Sequence, residues 1–225
     1  MPRRARVYTS AGSPERVIAE HATSGPAITG HAISGQRTGD PGLLSPEEIK
    51  ALVRTVPDFP LPGIQFRDIT TLVAHGRGLA SSVEHLARMV EHASPDGGFG
   101  AVAGIEARGF VFGAALAIRL GTGFVPLRKA GKLPGETIGV DYKLEYGTAR
   151  LEMDPGAVDA GERIIVVDDL LATGGTAIAG AQLLRRAGAL VEHALFVVDL
   201  PELGGAEALR DAGVEPHALM AFAGH

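Results

Sequence analysis

The sequence predicts an α/β fold, a central parallel sheet flanked by helices, and three observations point to it. Short apolar runs rich in Val, Ile and Ala alternate with helical patterns from residue 101 onward. One run, Ile164-Ile165-Val166-Val167, is wholly β-branched, as expected of a strand covered on both faces. It leads through Asp168-Asp169 and a small-residue turn, Ala172-Thr173-Gly174-Gly175-Thr176, into a helical pattern from Ile178 to Ala187. Such alternation builds parallel strands joined by right-handed crossovers.

Composition narrows the function classes. The 225 residues suffice for one such domain plus extras, and 45% hydrophobic content supports a core. A net charge of −5 argues against a broad nucleic-acid surface. With no cysteine there is no disulfide or thiol chemistry, which fits a reducing cytoplasm. No apolar run approaches the roughly 18 residues of a membrane span, and the lack of Asn removes any N-glycosylation acceptor.

Residues 1–43 stand apart. They are rich in Gly, Ser, Thr, Ala and Pro and lack a sustained period. Five arginines against three acidic residues leave this stretch at +2 and the remainder at −7. It buries too little to offset its ordering entropy, so a disordered extension is expected. Arg3, Arg4 and Arg6 precede no apolar h-region, which argues against a secretory signal; an organelle transit peptide and a start codon placed too far upstream are the other readings.

The folded domain is expected over 44–225. Ser45-Pro46-Glu47-Glu48 is a capping box with proline at the first helical position, followed by an apolar stripe of Leu52, Val53 and Val56. Phe59-Pro60-Leu61-Pro62-Gly63 is loop, because proline and glycine block both ladder types. Ile64 to Ile69 alternates like a short strand, and Leu79 to Ala93 reads as an amphipathic helix. Its His85 and His92, two turns apart without an acidic or Cys partner, read as surface histidines rather than metal ligands. Ala101 to Ile105 is the first buried strand; a nearly all-apolar helix then runs to Leu120. Gly123 to Leu127 is the next strand. Asp141 to Leu144 and Thr148 to Met153 form a hairpin turning at Glu145-Tyr146-Gly147. Val191 to Leu200 is a buried strand, Gly204 to Ala212 a short helix and Val214 to Phe222 the last strand.

Chemistry concentrates at the strand ends, where open α/β sheets bind ligands. A Gly-rich turn opening a helix presents free N–H groups and the positive dipole end, so Ala172 to Thr176 suits a phosphate. Asp168 and Asp169 beside it suit sugar hydroxyls, as acceptors, and Mg²⁺, as hard oxygen ligands. Alone, an Asp pair is as readily a solvated strand end. Arg128, Lys129 and Lys132 follow a buried strand on a glycine-punctuated loop and suit a polyanion. No G-x-x-x-x-G-K-[ST] occurs, and Gly98-Phe99-Gly100-Ala101-Val102-Ala103 precedes its strand, which removes the dinucleotide reading.

The string Val167-Asp168-Asp169-Leu170-Leu171-Ala172-Thr173-Gly174-Gly175-Thr176 resembles the phosphoribosyl-pyrophosphate (PRPP) signature of type I phosphoribosyltransferases. Phe59-Pro60-x-Pro62-Gly63-Ile64-x-Phe66-Arg67-Asp68-Ile69-Thr70 is similar to the amino-terminal signature of the adenine-specific family. Glu106 to Gly113, Val125 to Pro134, Leu144 to Thr148 and Phe222 to His225 continue the likeness, which covers residues 45–225. The resemblance implies the type I fold with a small N-terminal hood, formed mainly by 57–70, and a flexible catalytic loop. It implies the conversion of adenine and PRPP to AMP and pyrophosphate with Mg²⁺, by a homodimer that needs neither nucleic acid nor membrane. On it, Ala172 to Thr176 hold the 5′-phosphate and Asp168 and Asp169 face the ribose. Mg²⁺ is held mainly through PRPP, with Asp168 a candidate ligand. Arg108, Arg128, Lys129 and Lys132 match pyrophosphate-binding positions; Gln65, Phe66 and Arg67 match the adenine pocket, through main-chain groups. Glu145 and Tyr146 match the catalytic loop. The rival readings are a phosphoribosyltransferase for another base and a PRPP-sensing regulator without catalysis.

Overall fold

The computed structural model describes residues 42–94, 98–144 and 147–224; the expected extension at 1–43 lies almost wholly outside them. Helix α1 (Pro46–Lys50) opens on the expected capping box, Ser45 accepting from the Glu48 N–H while Glu48 accepts from the Ser45 N–H. The helix ends earlier than the apolar stripe suggested. Arg54–Pro57 is strand β1, paired antiparallel with β2 (Gln65–Asp68) in a separate two-stranded sheet. Here cross-strand pairing overrides a weak helical pattern. A short α2 (Thr70–Ala74), which the sequence pattern did not announce, follows, and α3 (Gly76–Ala93) begins three residues before its expected start. His75 caps α3, its Nδ1 accepting the Gly78 N–H at 3.0 Å.

The main sheet has seven strands. Its parallel part comprises β3 (Ala101–Ile105), β4 (Gly123–Lys129), β7 (Ile164–Leu171), β8 (His193–Asp199) and β9 (Glu215–Ala221). The hairpin β5 (Ile138–Leu144) and β6 (Gly147–Met153) adds antiparallel through β6 to β4, giving the order β5-β6-β4-β3-β7-β8-β9. Helices α4 (Gly109–Leu120), α5 (Gly175–Arg186) and α6 (Gly205–Asp211) complete the alternation.

The β-branched run of β7 explains the layering. Ile164 and Val166 face one apolar layer with Leu183 and Leu184 of α5. Ile165 and Val167 face the other with Phe112 and Leu116 of α4 and Leu86 of α3. Both faces are covered, as continuous hydrophobicity requires. Arg108, just beyond the carboxyl end of β3, reaches both Asp169 of β7 and Phe66 of the β1–β2 hairpin. Asp168 and Asp169 lie within β7 rather than beyond it, because the strand runs on to Leu171.

Candidate active site

A cleft of about 220 Å³ opens at the end of β7, lined by Arg108, by every residue from Asp168 to Ala177 and by Phe196. The turn into α5 forms its floor. Gly174 caps α5 with φ at 82°, a left-handed conformation that favours glycine, and no side chain claims the first N–H groups of the helix. The turn is braced by α6. A β-carbon on Gly205 would lie 2.2 Å from the Ala172 carbonyl oxygen, so only glycine allows this approach.

The two aspartates differ. Asp169 is only 4% exposed. Its Oδ2 lies 3.1 Å from Arg108 Nε, yet it accepts no hydrogen bond. Asp168 accepts the Asp169 N–H at 2.9 Å. Burial pushes the Asp168 carboxyl well above the usual carboxylate range, and the neighbouring Asp169 charge adds to it. Burial also raises Asp169, while Arg108 works against the rise. The pair is short of positive charge. Its donor set, two carboxylates, suits a hard divalent cation such as Mg²⁺. Among the described residues no three His, Cys, Asp or Glu gather into a metal site.

Gly109 lets Arg108 reach the pair. A β-carbon there would sit 2.7 Å from the Val167 carbonyl oxygen and 2.9 Å from Asp168 Oδ1. The guanidinium of Arg108 also stands over the Phe66 ring, 5.6 Å from its centroid. It thereby walls a second cleft of about 460 Å³, whose other lining residues are Arg54, Val56, Phe59, Phe66, Asp68 and Thr70. Phe59 meets Phe66 edge to face at 5.1 Å. Asp68 pairs with Arg54 and accepts the Thr70 N–H at 2.9 Å. The hydrogen bonds from Thr70, then Arg54, pull its pKa down to about 2.

Strand alternation sorts the adenine-pocket candidates. Arg54 and Val56 on β1 stand opposite Asp68 and Phe66 on β2, and these four side chains share the cleft face. Gln65 and Arg67 fall on the other face, so among the three candidates only Phe66 presents its side chain to the cleft. Arg67 points away, donating to Thr55 Oγ1 and to the Ala223 carbonyl, both at 2.7 Å.

The polyanion candidates stay on the rim. Arg128 engages Glu106, Nη2 to Oε1 at 3.2 Å, and donates to the Lys132 carbonyl at 3.0 Å. The hydrogen bond from Arg128, helped by the Lys129 N–H, holds the Glu106 carboxyl below its usual range. Lys129 and Lys132 are exposed. None of these three cations lines the 220 Å³ cleft. Glu145 and Tyr146 lie outside the described residues. Of the two helical histidines, His85 is half-buried, bonded to the Leu44 carbonyl at 2.8 Å, and His92 is exposed. Arg54, Val56, Thr70, Glu106 and Phe196 were given no site role from the sequence. The first three become legible only once β1 is paired with β2.

A glycine-rich turn opening a helix, an acidic pair at the end of a parallel strand and an aromatic cleft alongside are the arrangement expected of a phosphoribosyltransferase. The family model described as a phosphoribosyl transferase domain matches residues 70–207. The adenine phosphoribosyltransferase of Erythrobacter litoralis is 65% identical over 179 residues, 80% of this chain and 98% of that protein. That of Novosphingobium aromaticivorans is 63% identical over 182 residues, 81% of this chain and 100% of that protein. Among solved structures, the Saccharomyces cerevisiae enzyme complexed with adenine and an imino-altritol bisphosphate superimposes with a TM-score of 0.74 at 36% identity, covering 77% of this chain and 97% of that one. The chain belongs to the adenine phosphoribosyltransferase family.

Proposed function

We propose that the protein transfers the phosphoribosyl group of PRPP to adenine, giving AMP and pyrophosphate in purine salvage. One observation carries this reading: a single guanidinium, Arg108, walls both the phosphate-and-carboxylate cleft and the aromatic cleft. A sugar phosphate and a flat base are thereby set side by side.

The N–H groups from Ala172 to Thr176 bind the 5′-phosphate, and Asp168 and Asp169 accept from the ribose hydroxyls. Asp168 would help to hold Mg²⁺ brought in with PRPP, and the ion would supply positive charge against the pyrophosphate. Phe66 and Phe59 hold the adenine ring. The C1–O bond to pyrophosphate breaks and the C1–N9 bond to adenine forms. Arg108 takes up the negative charge growing on the leaving group, joined by Arg128, Lys129 and Lys132 once the loop after β4 turns inward. The β5–β6 hairpin closes over the cleft and excludes water. Glu145 receives the N9 proton, and Tyr146 is the second residue assigned to this step. A second copy covers α4, where Val111 and Ile118 stand exposed. No helix among the described residues is long and apolar enough to cross a membrane; the lack of cysteine supports the cytoplasm as the working compartment.

The direct test is AMP formation from adenine, PRPP and Mg²⁺, with hypoxanthine, xanthine and orotate run separately. Turnover of adenine alone is expected. Preference for another base would overturn the base assignment and leave the transfer intact.

A further inference from the structure

The β1–β2 hairpin carries Phe66 into the base cleft, and its opposite face is tied to the end of the chain. Four ties hold residues 221–224. Lys50 Nζ donates to the Ala221 carbonyl. The Phe222 N–H reaches the Asp199 carbonyl at 3.0 Å. Arg67 Nη2 reaches the Ala223 carbonyl at 2.7 Å, and the Gly224 N–H reaches Glu202 Oε1 at 3.2 Å. Between them the Phe222 ring takes two cations, Lys50 Nζ at 4.7 Å and Arg67 Cζ at 4.8 Å from its centroid. Arg67 is 8% exposed, so this is a largely desolvated contact, the setting in which cation–π attraction is strongest.

We infer that Phe222 is a positioning residue for the base: through Arg67 it fixes the depth and tilt of the strand that presents Phe66, without touching the base itself. The hairpin is a separate two-stranded sheet, and such a pair holds its place only by what it leans on. Phe66 and Arg67 are adjacent, so their side chains point to opposite sides. A shift at Arg67 is passed directly to Phe66. The phosphate turn and the aspartates lie on β7 and α5, outside this lever. The inference rests on the aromatic cleft being the base site.

The test uses the full chain with Phe222→Leu and Phe222→Trp. Leucine keeps apolar bulk and removes the ring face; tryptophan restores it. With Phe222→Leu the KM for adenine should rise roughly ten-fold, the scale of one desolvated cation–π contact, while the KM for PRPP stays within about two-fold. Phe222→Trp should return the adenine KM to near the wild-type value. Equal rises in both KM values, or no rise in either, would overturn the inference. Hydrogen exchange gives a second readout that needs no turnover. Amides of residues 54–57 and 65–68 should lose protection in Phe222→Leu and regain it in Phe222→Trp; unchanged protection sinks the tie itself. If the wild-type protein turns over no adenine, the base-site reading fails, and exchange still decides whether Phe222 holds the hairpin.

Discussion

At the scale of single residues, the acidic pair carries the sharpest expectations. Asp168→Asn together with Asp169→Asn should lower kcat/KM by more than ten-fold, a loss above ~1.4 kcal/mol in transition-state stabilisation, with the circular dichroism spectrum unchanged. Activity within ten-fold of wild type would remove their role. The pair also sets a pH trend. The Asp168 carboxyl is raised in the folded state, chiefly by burial, against an unfolded value of about 3.9. The stability it contributes is complete below the unfolded value and is lost as pH rises through the folded one. The Asp168 contribution to melting of the ligand-free protein should therefore fall with rising pH, and Asp168→Asn should melt at a temperature that gains on the wild type as pH rises. A parallel pH slope in the two proteins would count against burial of a charged Asp168. Glu145 is expected to act on the chemical step: Glu145→Gln should cut kcat by about 10² to 10⁴. PRPP affinity, read by calorimetry without adenine, should stay within a few-fold. An unchanged single-turnover rate would return Glu145 to the status of an ordinary turn residue.

At the scale of elements, the phosphate turn and α6 act as one piece. Gly205→Ala forces a β-carbon against the Ala172 carbonyl and Leu171. Backbone has to move, at a cost of roughly 1–3 kcal/mol, and PRPP binding should weaken with it. Gly76→Ala, where nothing lies within 4 Å, is the control and should leave melting unchanged. A neutral Gly205→Ala would show that the turn is braced elsewhere. Elements also show where sequence reading runs out. Strands β3, β7 and β8 were legible because burial on both faces writes a continuous apolar run, as in Ile164 to Val167. Ala172 to Thr176 was legible because small residues before a helix have few other uses. β1 was hidden: Arg54 to Pro57 is exposed apart from half-buried Val56, and its identity comes from its partner strand. The direction of the Arg67 side chain was hidden for the same reason, since a two-residue period has no sign until the strand is paired. Arg128 read as a ligand-facing cation. In the ligand-free fold Glu106 holds it, a long-range partner 22 residues away that spacing does not reveal.

At the scale of the whole molecule, the amino-terminal stretch is expected to be dispensable. Its composition buries little, and 98–100% of the two bacterial relatives is matched by about four-fifths of this chain. Deleting residues 1–43 should leave the melting temperature and the rate of AMP synthesis nearly unchanged. A marked drop in either would show that the stretch packs on the domain.

The position of Arg108 reaches further than either cleft. Because the same guanidinium faces Asp169 on one side and Phe66 on the other, the two substrates are not independent variables. Whatever factor PRPP imposes on the affinity for adenine, adenine must impose on the affinity for PRPP, since the two routes round the binding square close on one free energy. Calorimetric titration of a non-reactive adenine analogue, with and without pyrophosphate, should show a heat and an affinity that depend on whether pyrophosphate is already bound. Replacing Arg108 by methionine should make the two titrations superimpose.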